Sequence, residues 1–233
     1  MSKTSNILSK LLVFFLILFT FLFTVNFWCF NISFYNKQHN KIELYDQSIS
    51  EYIGIDDKQL EDLTIFVLDY LNDKNDSLDL EMNIKGEDRE VFTQDEKDHM
   101  VDVKKLNLNA RYVMIISFVL VLLISIYLIK KHISINYIFT AYKKGLIYFL
   151  LFFSLLAFWI LIDFDSFWTF FHKIFFAGNE LWLLNLKKDI LIMIVPPEFF
   201  NNLVIRILIT FLGLLFIIFI SLYLINNRKK TYD

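Results

Sequence analysis

Apolar positions along this chain gather into four runs with almost no charge in them: residues 11–30 (LLVFFLILFTFLFTVNFWCF), 112–129 (YVMIISFVLVLLISIYLI), 146–162 (LIYFLLFFSLLAFWILI) and 204–225 (VIRILITFLGLLFIIFISLYLI). A bilayer takes about 20 helical residues to cross, at ~1.5 Å each. Backbone that leaves water must pair its polar groups internally, so each run predicts a transmembrane helix. The first run exceeds the ~7–15 residues of a signal-peptide core, and no small-x-small site follows it. It is expected to stay as a span.

The segments between the runs carry shorter patterns. Leu60, Leu63, Val67, Tyr70 and Leu71 recur at helical spacing behind an Asp56-x-x-Gln59 cap. Leu78, Leu80, Met82 and Ile84 alternate with polar residues up to Gly86, the period of a half-buried strand with one hairpin. Thr93-x-x-Glu96 is a capping box predicting a helix from Gln94 to about Leu106 that leads into the second span. Residues 164–178 (FDSFWTFFHKIFFAG) predict a short aromatic interfacial helix, capped by Asp165 or Ser166 and closed by Gly178. The run at 190–195 is too short to span and reads as a re-entrant or interfacial piece. Pro197 then suits the first position of the last helix. The predicted fold is all-α membrane: four transmembrane helices, a small extracytoplasmic α+β subdomain and interfacial helices, in one membrane domain over residues 1–233.

Charge orients this arrangement. Lys3 and Lys10 precede the first span, Lys130, Lys131, Lys143 and Lys144 join the second and third, and Arg228, Lys229 and Lys230 stand against Asp233 in the tail. Residues 163–203 hold three lysines against five acids, and residues 32–110 nine basic against nineteen acidic residues. By the positive-inside bias, segments 1–10, 130–145 and 226–233 are expected in the cytoplasm. Segments 32–110 and 163–203 then face outward from the cell membrane.

Composition removes several chemistries. A single cysteine, Cys29, excludes disulfide frameworks, CxxC redox pairs and multi-thiolate metal sites. A net charge of −2 offers no field for nucleic acid. Nucleotide loops, HExxH, GxSxG and EF-hand patterns are missing from the sequence.

Four histidines remain. His39 and His132 are expected in solvated polar or basic loops. His99 has Asp95 at i−4 and Asp102 at i+3, either of which can reach its imidazole and raise its basicity, although an ordinary solvated acidic face produces the same spacing. His172 lies on the aromatic helix beside Trp168, Thr169, Phe175 and Phe176, where an imidazole is costly unless paired or used, or else serves as an interfacial anchor. Two histidines at one membrane face suit acid–base or acyl-transfer chemistry on a lipid-borne group. A His/His/carboxylate metal site has no spacing here that selects for it. Arg206 is placed either to bind a phosphate or ester oxygen or to snorkel, and Trp182, Tyr112 and Trp168 read as interface-belt residues.

The strings EKDHMVDV (residues 96–103) and FHKIFF (residues 171–176), with Trp182 and DILIMIVPPEFF (residues 189–200), resemble the signature motifs of the lipoprotein intramolecular transacylase family. These are small four-span membrane proteins of Gram-positive bacteria, and the resemblance covers the whole chain. The stretch after Trp182 departs from the family pattern in lacking a proline. The resemblance implies that the sn-2 acyl chain of an S-diacylglyceryl cysteine moves to the α-amine of the same cysteine, giving a lyso-form lipoprotein. It implies His99 and His172 as the catalytic pair, with His99 as base oriented by Asp102 and His172 as acid or oxyanion donor, the roles being exchangeable. Asp95, Arg206 and Trp182 would support them, and Trp168, Phe171, Phe175 and Phe176 would wall the acyl chains. The partners are the lipidated N-terminus and membrane lipid; the enzyme is expected to act as a monomer, with no cofactor or metal. Two rival functions fit the residues alone: a membrane lipid hydrolase using the same pair, and a non-catalytic membrane partner protein.

Overall fold

The computed structural model describes residues 3–230. Of the charges used to orient the chain, the Lys3, Lys229 and Lys230 side chains and Asp233 lie outside the described residues. In chain order the elements are α1 (Lys3–Cys29), α2 (Ile32–His39), β1 (Glu43–Leu44), β2 (Gln47–Ser48), α3 (Ile49–Ile53), α4 (Asp57–Leu71), β3 (Glu81–Ile84), β4 (Glu87–Glu90), α5 (Gln94–Lys130), α6 (Ile135–Ile162), α7 (Phe164–Phe175), α8 (Ile190–Ile194) and α9 (Pro197–Lys230). The four apolar runs fall within α1, α5, α6 and α9, save for Phe30 just past the end of α1, and each helix is long and apolar enough to cross a bilayer. The chain divides into two compact units.

The first unit comprises Met1–Asn26, Ala110–Phe167 and Arg206–Asp233. Its core is Val13 and Ile17 of α1, Tyr142 and Phe153 of α6, and Phe211 and Leu215 of α9. Large apolar side chains such as Ile116, Leu123, Leu155, Phe158 and Phe216 are exposed, as a lipid-facing surface requires. The buried Tyr142 hydroxyl donates to the Leu215 carbonyl at 2.8 Å, so its polar end is satisfied without water. Gly145 lets α6 approach α1 closely, since a Cβ there would lie 2.7 Å from Cγ1 of Val13.

The second unit comprises Phe27–Asn109 and Trp168–Ile205. Helix α4 begins with both hydrogen bonds of the expected capping box, Gln59 N to Asp56 and Asp56 N to Gln59, and buries Leu60, Leu63, Val67 and Tyr70. Strands β3 and β4 form the expected hairpin across Lys85–Gly86. A second hairpin, β1–β2, escaped the pattern reading because its strands are two residues long. Its turn residues, Tyr45 and Asp46, take positive φ without a glycine to announce them. Helix α5 opens at Thr93 as expected and runs unbroken through the apolar stretch.

Three expectations change. Helix α7 is capped by Asp163, whose Oδ1 accepts from Ser166 N at 2.9 Å, rather than by Asp165 or Ser166. The run at 190–195, expected as a re-entrant or interfacial piece, forms a short helix at 190–194 packed into the second unit; Ile190, Leu191, Met193 and Ile194 are all buried. His39, expected in a solvated loop, is buried at the end of α2, where its Nε2 donates to the Ile194 carbonyl at 3.0 Å between the rings of Tyr35 and Phe199. His132 does stand exposed, in the turn after α5.

Candidate active site

Helix α5 carries His99 on its polar N-terminal part, ahead of the apolar stretch that begins at Tyr112. Its first turn is fixed by Glu96, a fully buried carboxylate. One oxygen of Glu96 accepts from the Thr93 amide at 2.7 Å and hydroxyl at 2.9 Å; the other accepts from the Leu191 amide at 2.7 Å. Three donors hold the charge in place, although burial still pushes its acidity weaker than an ordinary glutamate. Glu96 therefore ties the turn that presents His99 to helix α8.

Helix α7 presents His172. Both histidines belong to the second unit, and both are nearly enclosed, at 7% and 5% exposure. Their ring centroids lie 6.2 Å apart with planes inclined by 30°. Phe176 touches both rings, at 5.1 Å from His99 and 5.4 Å from His172. His172 is further held by Trp168 at 4.5 Å, Phe171 at 5.5 Å and Trp182, which stacks on it at 4.9 Å. Phe175 packs against Phe171 at 4.8 Å while remaining half exposed. The site is an aromatic enclosure with two imidazoles inside.

Hydrogen bonding separates the two rings. Nδ1 of His172 lies 2.8 Å from the Trp168 carbonyl, which can only accept, so Nδ1 carries the proton and Nε2 of the neutral ring holds a free lone pair. Nδ1 of His99 is buried with no hydrogen-bond partner among the described residues. A buried polar atom left open in this way costs about 1–3 kcal/mol, and native interiors tolerate few of them. Burial and the neighbouring His172 push His99 down to about 4, against the opposing pull of Asp102. Burial also lowers His172, against its bond to Trp168. Near neutral pH both rings are uncharged and can take up a proton.

The carboxylates beside His99 do less than their spacing allowed. Asp102 accepts from Asn179 Nδ2 at 3.1 Å and faces Lys105 at 3.7 Å, so it acts on His99 through its charge and not through a hydrogen bond. Asp95 is exposed. Arg206 belongs to the first unit and is exposed on α9. Trp182, read as a belt residue, has a closer role as the stacking partner of His172. Sequence reading missed Glu96, Asn179 and the Trp168 carbonyl; only Glu96 left a local trace, its place in the capping box. Among the described residues no three His, Cys, Asp or Glu side chains gather closely enough to hold a metal ion.

No curated protein matches the sequence. Among solved structures, the membrane-integral lipoprotein intramolecular transacylase Lit from Bacillus cereus is similar over 100% of both chains, with a TM-score of 0.81 at 21% identity. Two variants of that protein, with a histidine replaced by alanine or by arginine, match with TM-scores of 0.75 and 0.74 at 20% and 19% identity. Each covers 99% of this chain, and the matches take in 96% and 95% of those chains. At such identities the likeness establishes the fold: a mostly helical membrane protein with four apolar helices long enough to span and small sheets. The model of the family described as lipoprotein intramolecular transacylase Lit matches residues 10–200. The chain therefore belongs to the lipoprotein intramolecular transacylase family.

Proposed function

We propose that this protein moves the sn-2 acyl chain of an S-diacylglyceryl cysteine to the α-amine of that cysteine, within one lipoprotein molecule. The observation that carries the reading is the pair of neutral, enclosed imidazoles 6.2 Å apart, each with a nitrogen open to a ligand. Amine, Cα, Cβ, sulfur, two glycerol carbons, ester oxygen and acyl carbon close one ring, so the nucleophile is supplied by the substrate. The chain has only to bring the ends together and manage one proton.

The tautomer of His172 favours the exchanged assignment of roles. His172 Nε2 takes the proton as the amine attacks the acyl carbon, and His99 Nδ1, in its protonated tautomer, donates to the ester carbonyl oxygen as negative charge develops there. The C–N bond forms, the acyl C–O bond breaks, and the glycerol oxygen leaves with the proton that His172 accepted. The products are an amide and a free glycerol hydroxyl. Trp168, Phe171, Phe175 and Phe176 line the acyl chains, and the aromatic walls keep out water that would divert the ester to hydrolysis. Both termini lie in the cytoplasm and the histidine cluster faces the outer leaflet, as the basic loops indicate. The chain works as a monomer.

Mass spectrometry of the N-terminal peptide of an abundant lipoprotein tests this, in a host that makes only diacylglyceryl lipoproteins. Expression of the protein should place one acyl group on the amine and remove one from glycerol, and His99→Ala or His172→Ala should each abolish the change. Released fatty acid in place of the amide would make the protein a hydrolase. An unchanged peptide, with the protein folded in the membrane, would overturn the transfer reading.

A further inference from the structure

A cavity of about 500 Å³ opens in the second unit among residues none of which belongs to the histidine cluster. Ile53, Ile84, Ile190 and Met193 supply its apolar lining, and Lys85, Arg89, Lys187 and Lys188 bring four cations to it against one carboxylate, Glu87. This balance runs against its surroundings, since residues 32–110 carry a twofold excess of acids. Of the unit's other lysines, Lys74 pairs with Asp69, Lys97 with Asp79 and Glu90, Lys104 with Asp73, and Lys105 with Asp102, while Lys37, Lys41, Lys58 and Lys173 form no ion pair among the described residues. None of the four cavity cations takes part in an ion pair among the described residues.

The cations are also placed by local structure. Lys85 and Gly86 form the turn between β3 and β4 with φ of 56° and 88°. Such a turn favours asparagine, aspartate or glycine at its first position; a lysine there holds a left-handed conformation against its own Cβ. The Lys85 stem lies across Gly54, where any added Cβ would collide with its Cγ, and the Lys85 amide donates to the Gly54 carbonyl at 3.1 Å. On the opposite side, the Tyr52 hydroxyl donates to the Leu186 carbonyl at 3.3 Å, and Asn185 Oδ1 accepts from Lys187 N at 2.9 Å. These bonds fix the backbone that carries Lys187 and Lys188.

We propose that this cavity binds a phosphate group, held by Lys85, Arg89, Lys187 and Lys188 above the apolar lining. Four cations brought together against a single carboxylate repel one another, and a phosphate relieves that repulsion through charge-assisted hydrogen bonds. The phosphate can arrive as a lipid headgroup or in solution, and the two sources are separable. Purified full-length protein in detergent would be titrated with inorganic phosphate and with glycerol 1-phosphate by calorimetry. The same protein would be placed in nanodiscs of phosphatidylglycerol or of phosphatidylcholine and its thermal midpoint measured.

Saturable binding of a soluble phosphate marks a free-phosphate site. Stabilisation by phosphatidylglycerol without binding of either soluble probe marks a headgroup site. In both cases Lys85→Gly and the double change Lys187→Ala, Lys188→Ala should each weaken the effect about tenfold, the loss expected for a charge-assisted contact. Added salt should weaken it as well. Lys85→Gly separates binding from folding, because glycine fits the turn better than lysine and the variant should melt no lower than the wild type. Arg89→Gln offers a second loss of charge outside the turn. Identical responses of wild type and variants to every phosphate probe would overturn the proposal, as would an equal response to succinate, which would reduce the effect to charge screening.

Discussion

Two histidine environments in the second unit are equally buried and differ in one respect. His39 is 6% exposed between Tyr35 and Phe199, and its Nε2 donates to the Ile194 carbonyl. His99 is 7% exposed against Phe176 and His172, and its Nδ1 has no hydrogen-bond partner among the described residues. Burial lowers the basicity of both. The first ring is a pin that closes the end of α8; the second is an opening. Burial of an imidazole is therefore uninformative about chemistry by itself; at His99 it is the buried nitrogen without a partner that marks the ring as a candidate for chemistry.

The sharpest way to break this contrast is substitution on both sides. His99→Ala or His172→Ala should lower transfer of the acyl chain by ~10²–10⁴-fold, measured by mass spectrometry of a synthetic lipopeptide. His39→Ala should leave the rate within a few-fold of wild type and lower the thermal midpoint, with a loss of about 1–3 kcal/mol for the unpaired Ile194 carbonyl. A His39 variant as inactive as a His99 variant would erase the distinction. A smaller effect is expected at Trp182, whose ring holds His172 by stacking. Trp182→Ala should slow turnover by up to about tenfold, and Trp182→Phe should recover most of it, since such ring pairs contribute ~0.5–1.5 kcal/mol.

The gentlest test is pH. With His99 lowered to about 4 and His172 also lowered below the ordinary histidine value, both bases are neutral near neutral pH. The rate should then rise with the substrate amine, whose ordinary value is ~7.7–8.0, and show no inflection near the ordinary histidine value of ~6.5. Stability carries the same signature. The unfolded rings bind protons near 6.5 and the folded His99 only near 4, so the melting temperature should fall as pH drops through that window and stay level above it. A rate inflection at 6.5 would mean that the rings titrate as if in water.

Local signals carried the sequence reading far. The caps at Asp56 and Thr93, the alternation into Gly86 and the four apolar runs each arise from contacts within a few residues, and the elements they predict are present. The pairing of His99 with His172 came through family motifs, because the rings lie on helices far apart in sequence. What stayed hidden depends on distant partners. Leu191 reaches Glu96 across 95 residues and His39 reaches Ile194 across 155, so neither the core position of α8 nor the burial of His39 leaves a local trace. The tautomer of His172 was hidden for a different reason: a backbone carbonyl fixes it, and any residue at position 168 would offer one.

The open Nδ1 of His99 also bears on inhibition. A ligand usually gives back part of each hydrogen bond it makes, because the protein atom must first release water. Here that atom is buried and has no protein partner to give up among the described residues. A compact amphiphile with one neutral polar group set against this nitrogen, and an apolar body against Phe176, should gain more from that contact than from a surface one. Adding a full charge to the same molecule should weaken it, since the enclosure offers aromatic walls and uncharged imidazoles to receive it. Neutral amides and ureas are thus the chemotypes with which to begin a search for blockers.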